Sequence, residues 1–61
     1  MNNMEMYYEV KGYNNGKCLV GALFYTYIEA LEFVKINKKV DCDIWLKFNG
    51  KVICEMDYRN N

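Results

Sequence analysis

The chain has 61 residues, 52% of them hydrophobic and 16% aromatic, with eight acidic and eight basic side chains. That hydrophobic share excludes a disordered tail, and zero net charge removes the main drive for nonspecific binding to nucleic acid or an anionic membrane. With no His and no Ser, the sequence also lacks the base and the hydroxyl from which most nucleophilic triads are built.

Residues 4–12 open with strict alternation. Met4, Met6, Tyr8 and Val10 share one face, and Glu5, Tyr7, Glu9 and Lys11 share the other, which predicts a half-buried strand. Asn15-Gly16 then supplies the positive φ angles of a two-residue hairpin turn. The second strand, residues 17–25, is apolar almost throughout. Pairing across the turn sets Val10 against Gly21, Tyr8 against Leu23 and Met6 against Tyr25, so Val20 and Phe24 fall with Tyr7 on the outer face. Gly21 in mid-strand suggests room for a helix or a bulge.

A helix is expected over 27–39. Thr26 and Glu29 form a T-x-x-E capping box, and Lys35, Lys38 and Lys39 complement the dipole at its far end. At 100° per residue the core stripe comprises Tyr27, Ala30, Leu31 and Val34, flanked by Ile28. Phe33 and Ile36 fall outside that stripe. Strands at 41–48 and 52–58, joined through Asn49-Gly50, complete the order ββαββ. The expected fold is α+β: two β-hairpins in one antiparallel sheet, with the helix packed on one face of a single domain.

The second hairpin raises a question of parity. A two-residue turn pairs Phe48 with Lys51, which sets Val52 and Cys54 on the face of Asp43 and Lys47. A three-residue loop with Gly50 in the left-handed conformation would instead gather Ile44, Leu46 and Phe48 with Val52, Cys54 and Met56. Placing Phe48 opposite Val52 is a further option. The longer loop keeps Trp45, the only tryptophan, on the outer face beside Ile53 or Glu55.

A core this small rarely supplies more than roughly 3–5 kcal/mol, and oligomerisation is a common remedy. No apolar run approaches the roughly 20 residues that cross a bilayer, and no basic segment followed by an apolar one resembles a signal peptide, so a cytoplasmic location is expected. There Cys18, Cys42 and Cys54 read as thiols and as small buried hydrophobes. Their spacing contains no C-x₂-C pair, so no metal and no cofactor are expected. Asn, Lys, Ile and Tyr make up 25 of the 61 residues. Their codons are AT-rich, which points to a low-GC bacterium or one of its phages.

No carboxylate sits where desolvation would fit it for proton transfer, so an enzyme is not expected. What stands out instead is apolar surface. Trp45, Ile53, Tyr7, Val20 and Phe24 on the outer face, with Phe33 and Ile36 on the helix, are the candidate residues for self-association or partner binding. Glu5, Glu9, Asp43, Glu55 and Asp57 form a candidate acidic patch. The reading is a small non-enzymatic interaction protein that self-associates as a dimer through the outer sheet face and uses another surface to bind and inhibit a larger protein, as small phage proteins do. An alternative is an oligomeric sponge for a signalling nucleotide. Another is a single-stranded nucleic-acid module stacking bases on Tyr7, Phe24 and Trp45, which the acidic residues on that face oppose.

Overall fold

A computed structural model describes residues 5–58; Met4, expected on the inner face of the first strand, lies outside them. The elements are β1 (Met6–Asn14), β2 (Lys17–Phe24), α1 (Tyr27–Ile36), β3 (Asp41–Phe48) and β4 (Lys51–Tyr58). The strands form one sheet in the order β2-β1-β3-β4, every neighbour antiparallel. The hairpins therefore join along β1 and β3, and α1 returns the chain from the β2 edge to the middle of the sheet. This is the α+β ββαββ fold that the hydrophobic pattern implies.

Both hairpins close through the turn their dipeptides encode. Asn15 and Gly16 have φ of 54° and 80°, Asn49 and Gly50 of 51° and 83°. Two successive residues in this region match the twist of the flanking strands. The second turn is thus two residues long, pairing Phe48 with Lys51, and the three-residue loop is not formed. The parity conflict is settled further along β4. Leu46 pairs with Cys54 but Lys47 pairs with Val52, so Ile53 is an extra residue, a bulge.

The first hairpin carries a matching irregularity, which sequence periodicity did not reveal. Tyr13 pairs with Cys18 but Gly12 pairs with Val20, making Leu19 the extra residue. Downstream the register moves by one, setting Val10 against Ala22 and Tyr8 against Phe24. Val20 and Phe24 therefore lie on the inner face, packed against the core, and not on the outer face expected for them. Gly21 and Leu23 take the outer positions. Gly21 marks neither the bulge nor the helix contact. The glycine that makes room is Gly12, where a Cβ would come within 2.6 Å of Val20 Cγ2 and 2.8 Å of Val40 Cγ2.

Helix α1 packs principally on β1 and β2. Thr26 is its N-cap, with Oγ1 accepting from the Glu29 N–H at 3.2 Å and donating to Glu29 Oε1 at 3.0 Å. The helix stops at Ile36, short of residue 39, because Asn37 ends it: both its backbone N–H and its side-chain amide donate to the Phe33 carbonyl. Phe33 is not outside the core stripe. Its ring lies 5.4 Å from that of Phe24, and following Phe24 inward rolls the helix until Ile28 is 70% exposed.

Val10, Ala30, Val40, Cys42 and Ile44 are the buried core. Tyr8, Val20, Phe24, Tyr27, Phe33, Val34, Met56 and Tyr58 pack around it. The Tyr27 and Tyr58 hydroxyls hydrogen-bond each other, tying the start of the helix to the β4 edge. That bond, together with partial burial, pushes the Tyr58 pKa up to about 12. Of the three cysteines only Cys42 is buried; Cys18 and Cys54 are exposed thiols.

Candidate binding surface on the outer sheet face

The face opposite the helix is built by alternation, so its residues can be read from the pairing. β1 contributes Tyr7, Glu9, Lys11 and Tyr13, and β3 contributes Lys47, Trp45, Asp43 and Asp41 opposite them. β4 adds Val52, Glu55 and Asp57 beside Lys47, Trp45 and Asp43, and β2 adds Leu23 and Gly21 beside Glu9 and Lys11. Trp45 sits near the middle, between Glu9 and Glu55, and is half-buried by its neighbours within the sheet. Lys11 Nζ lies 5.5 Å from the centre of its ring, a cation–π contact. Leu23, on the same cross-strand row, is 63% exposed.

Among the described residues, two lysines stand here with five carboxylates: Lys11 and Lys47 with Glu9, Asp41, Asp43, Glu55 and Asp57. The lysines are engaged locally. Lys47 Nζ is 2.6 Å from Glu9 Oε1, and this bond raises the lysine's pKa. Toward β4, Asp43, Glu55 and Asp57 bring carboxylate oxygens within 4.8 Å of one another. Asp43 and Asp57 are directly opposed across the strands. Like charges in that relation weaken a sheet.

The structure redistributes the residues singled out from the sequence. Trp45 and Tyr7 lie on the open face, and Ile53 is at the β4 bulge, more than half exposed. Val20, Phe24 and Phe33 belong to the helix-side core. Ile36, 79% exposed, ends the helix far from this surface in sequence. Of the acidic candidates, Asp43, Glu55 and Asp57 converge, Glu9 is drawn to Lys47, and Glu5 joins the second turn through hydrogen bonds with Asn49. Leu23 was missed because only the β2 bulge brings it to this face; Val52 reaches it through the two-residue turn, which the three-residue loop would have avoided. Lys11 and Lys47 were legible from alternation alone.

This arrangement offers aromatic contact, exposed apolar side chains at Leu23 and Val52, and a group of carboxylates. The upward shifts of Lys47 and Tyr58 take both groups further from neutrality, the wrong direction for proton transfer at neutral pH. As cation ligands, the three clustered carboxylates would supply three oxygens, about half of what calcium or magnesium requires. A shallow open depression of about 360 Å³ lies elsewhere, along Ile36, Asn37, Lys38, Lys39 and Val40. No helix among the described residues is long and apolar enough to cross a membrane. No family model matches the chain, and comparisons with curated proteins and with solved structures give no significant match.

Proposed function

We propose that this chain is a non-enzymatic interaction protein that binds a larger protein through the outer face of its sheet and acts by blocking the surface it covers. One observation carries the reading: the face is open, with no element of the described chain packed over it, yet a tryptophan stands near its centre among Tyr7, Leu23 and Val52. A sheet face that only meets water has no use for that set, whereas interface cores favour Trp and Tyr. Charge names the partner's chemistry. Among the described residues, five carboxylates and two engaged lysines fit a basic protein surface, and a face of that sign disfavours both a copy of itself and a phosphate backbone. A basic groove that otherwise holds nucleic acid is the kind of surface such a face would occupy.

The test is capture from extract of the host with immobilised wild type, alongside Trp45→Ala and the Asp43→Asn/Asp57→Asn double variant, each confirmed folded by circular dichroism. A specific partner should be retained by wild type, released by salt and lost from both variants, and its contact surface should be basic. Equal retention of the partner by Trp45→Ala would overturn the reading.

A further inference from the structure

The two edges of the sheet differ. β2 and β4 each have a single neighbour, so each turns alternate backbone N–H and C=O groups outward, where no strand among the described residues meets them. β4 is guarded in the ways that discourage a further strand. It carries Lys51, Glu55 and Asp57, and the bulge at Ile53 interrupts its run. β2 is not. Between Lys17 and Glu29 the chain has neither a charged residue nor a proline. Its own bulge, at Leu19, lies near the turn, so residues 20–24 pair with β1 without interruption. Along this edge Leu19, Leu23 and Tyr25 each leave more than half of their surface exposed. Helix α1 lies over the inner face of β1 and β2 and adds no strand beside them.

We propose that a second copy of the chain adds to this edge, β2 antiparallel to β2, about a two-fold axis that passes between the two Ala22 residues perpendicular to the sheet. Such an axis keeps inner face beside inner face and outer beside outer, so both helices lie on one side of a continuous eight-stranded sheet. The strand's own pattern argues for this occupant and this register. Gly21 leaves a gap in the outer row, since a Cβ there has nothing nearer than the Val10 carbonyl at 3.6 Å. Leu23, two residues on, is the exposed side chain that fits it. About Ala22 the leucine of each copy covers the glycine of the other, and Leu19 of each meets Tyr25 of the other. On the inner row Val20 faces Phe24, so no polar side chain opposes the contact. Centred on Gly21 the pairing would set glycine against glycine, and centred on Leu23 it would carry Leu19 past the end of the copy's strand. Backbone hydrogen bonds along the shared edge supply the attraction. The edges that remain free in the larger sheet are both β4, the guarded strand. The two outer faces then form one surface.

Sedimentation of the full chain at low salt tests this, read up to roughly 0.5 mM, where even a weak dimer is populated. Wild type should sediment with the mass of two chains. Gly21 lies opposite Lys11 and Leu23 opposite Glu9, so Gly21→Glu and Leu23→Lys each meet an opposite charge within their own chain and should stay folded. Each sets a charge against an apolar residue of the other copy and should raise the dissociation constant about tenfold or more. Mixed in equal amounts, the two variants should dimerise again. The new acid of one chain then faces the new base of the other, while the remaining Leu23 covers the remaining Gly21. Trp45→Ala should leave the dimer intact, because β1 separates β3 from this edge. A wild type that stays monomeric overturns the proposal. So does a dimer that survives both charge variants, and so does a mixture that stays dissociated.

Discussion

Ile44 and Trp45 are adjacent in β3, and their side chains leave the sheet on opposite faces. Ile44 is fully enclosed by the helix side, among Val10, Ala30 and Cys42. Trp45 has more apolar area to bury and buries less of it, resting on Lys11 between two glutamates. On the inner face, side-chain identity follows from packing. On the outer face packing decides less, for Trp45 is only half-buried and Asp43 stands directly opposite Asp57. The contrast marks the inner face as the reason the chain folds; under the proposed function the outer face is where a partner binds.

The largest test of that contrast pits the two neighbours against each other. Ile44→Ala removes fully buried methyl groups and leaves a cavity, so denaturant titration should show a loss of about 2–5 kcal/mol. Trp45→Ala should cost only about 1–2 kcal/mol, the loss of a half-buried ring and one cation–π contact. Partner binding should respond in the reverse order. If the tryptophan variant proves as unstable as the isoleucine one, the outer face is part of the monomer's own stability and the distinction collapses.

Two glycines sharpen the comparison at smaller scale. Gly12→Ala on the inner face drives a Cβ into the γ-methyls of Val20 and Val40, which are stiff β-branched side chains. Overpacking of this kind costs about 1–3 kcal/mol. Gly21→Ala on the outer face meets nothing nearer than the Val10 carbonyl at 3.6 Å. There alanine restricts the unfolded chain at little native cost, and a gain of about 0.5 kcal/mol is expected from the same titrations.

Those glycines also show what the sequence withheld. Alternation in β1 and β3 identified Val10, Ile44 and the outward Trp45, and the Asn-Gly pairs identified both turns, because each is a local rule. The bulges are not local. Leu19 and Ile53 look like ordinary strand residues, and each becomes the extra residue only through the register its strand takes with its neighbour. One unseen bulge in β2 exchanged Val20 and Phe24 for Leu23 on the outer face, and carried Phe33 into the core after Phe24. The convergence of Asp43, Glu55 and Asp57 was legible in part, as residues sharing a face. Their closeness depends on the β3–β4 register set by the second bulge.

A smaller effect should come from the acidic side of the outer face. Asp57→Asn removes one member of the opposed pair, and stability should rise by roughly 0.2–1 kcal/mol at low ionic strength. Adding salt should shrink the gain, since Asp57 is exposed, although Asp43 is half-buried. Under the proposed function the same change weakens partner binding. Stability and binding moving in opposite directions would identify the carboxylates as maintained for a partner; a variant that loses both would make them structural.

The smallest signal separates the faces by pH. Tyr58 on the inner face is held protonated by its hydrogen bond to Tyr27 and by burial, with its pKa moved from 10.0 to about 12. Between those values the unfolded chain has lost the proton and the folded chain still holds it, so unfolding releases a proton and stability falls as pH rises. Lys47 on the outer face acts in the same direction. Its pKa is raised from 10.5 by the bond to Glu9, so its contribution is complete below 10.5 and disappears above the folded value. Stability should therefore be level from neutrality to about pH 10 with respect to these two groups and decline above it. Tyr27→Phe removes the inner part of that decline, at a cost of roughly 0.5–1.5 kcal/mol for the lost hydrogen bond, and Lys47→Met removes the outer part. Salt should distinguish what remains, because an ion pair at the surface is screened and a hydroxyl pair between helix and strand is not. An alkaline limb that ignores Tyr27→Phe and vanishes in salt would mean that β4 is not tied to the helix through its tyrosine. The inner face would then be less closed along that edge than the outer face is along its own.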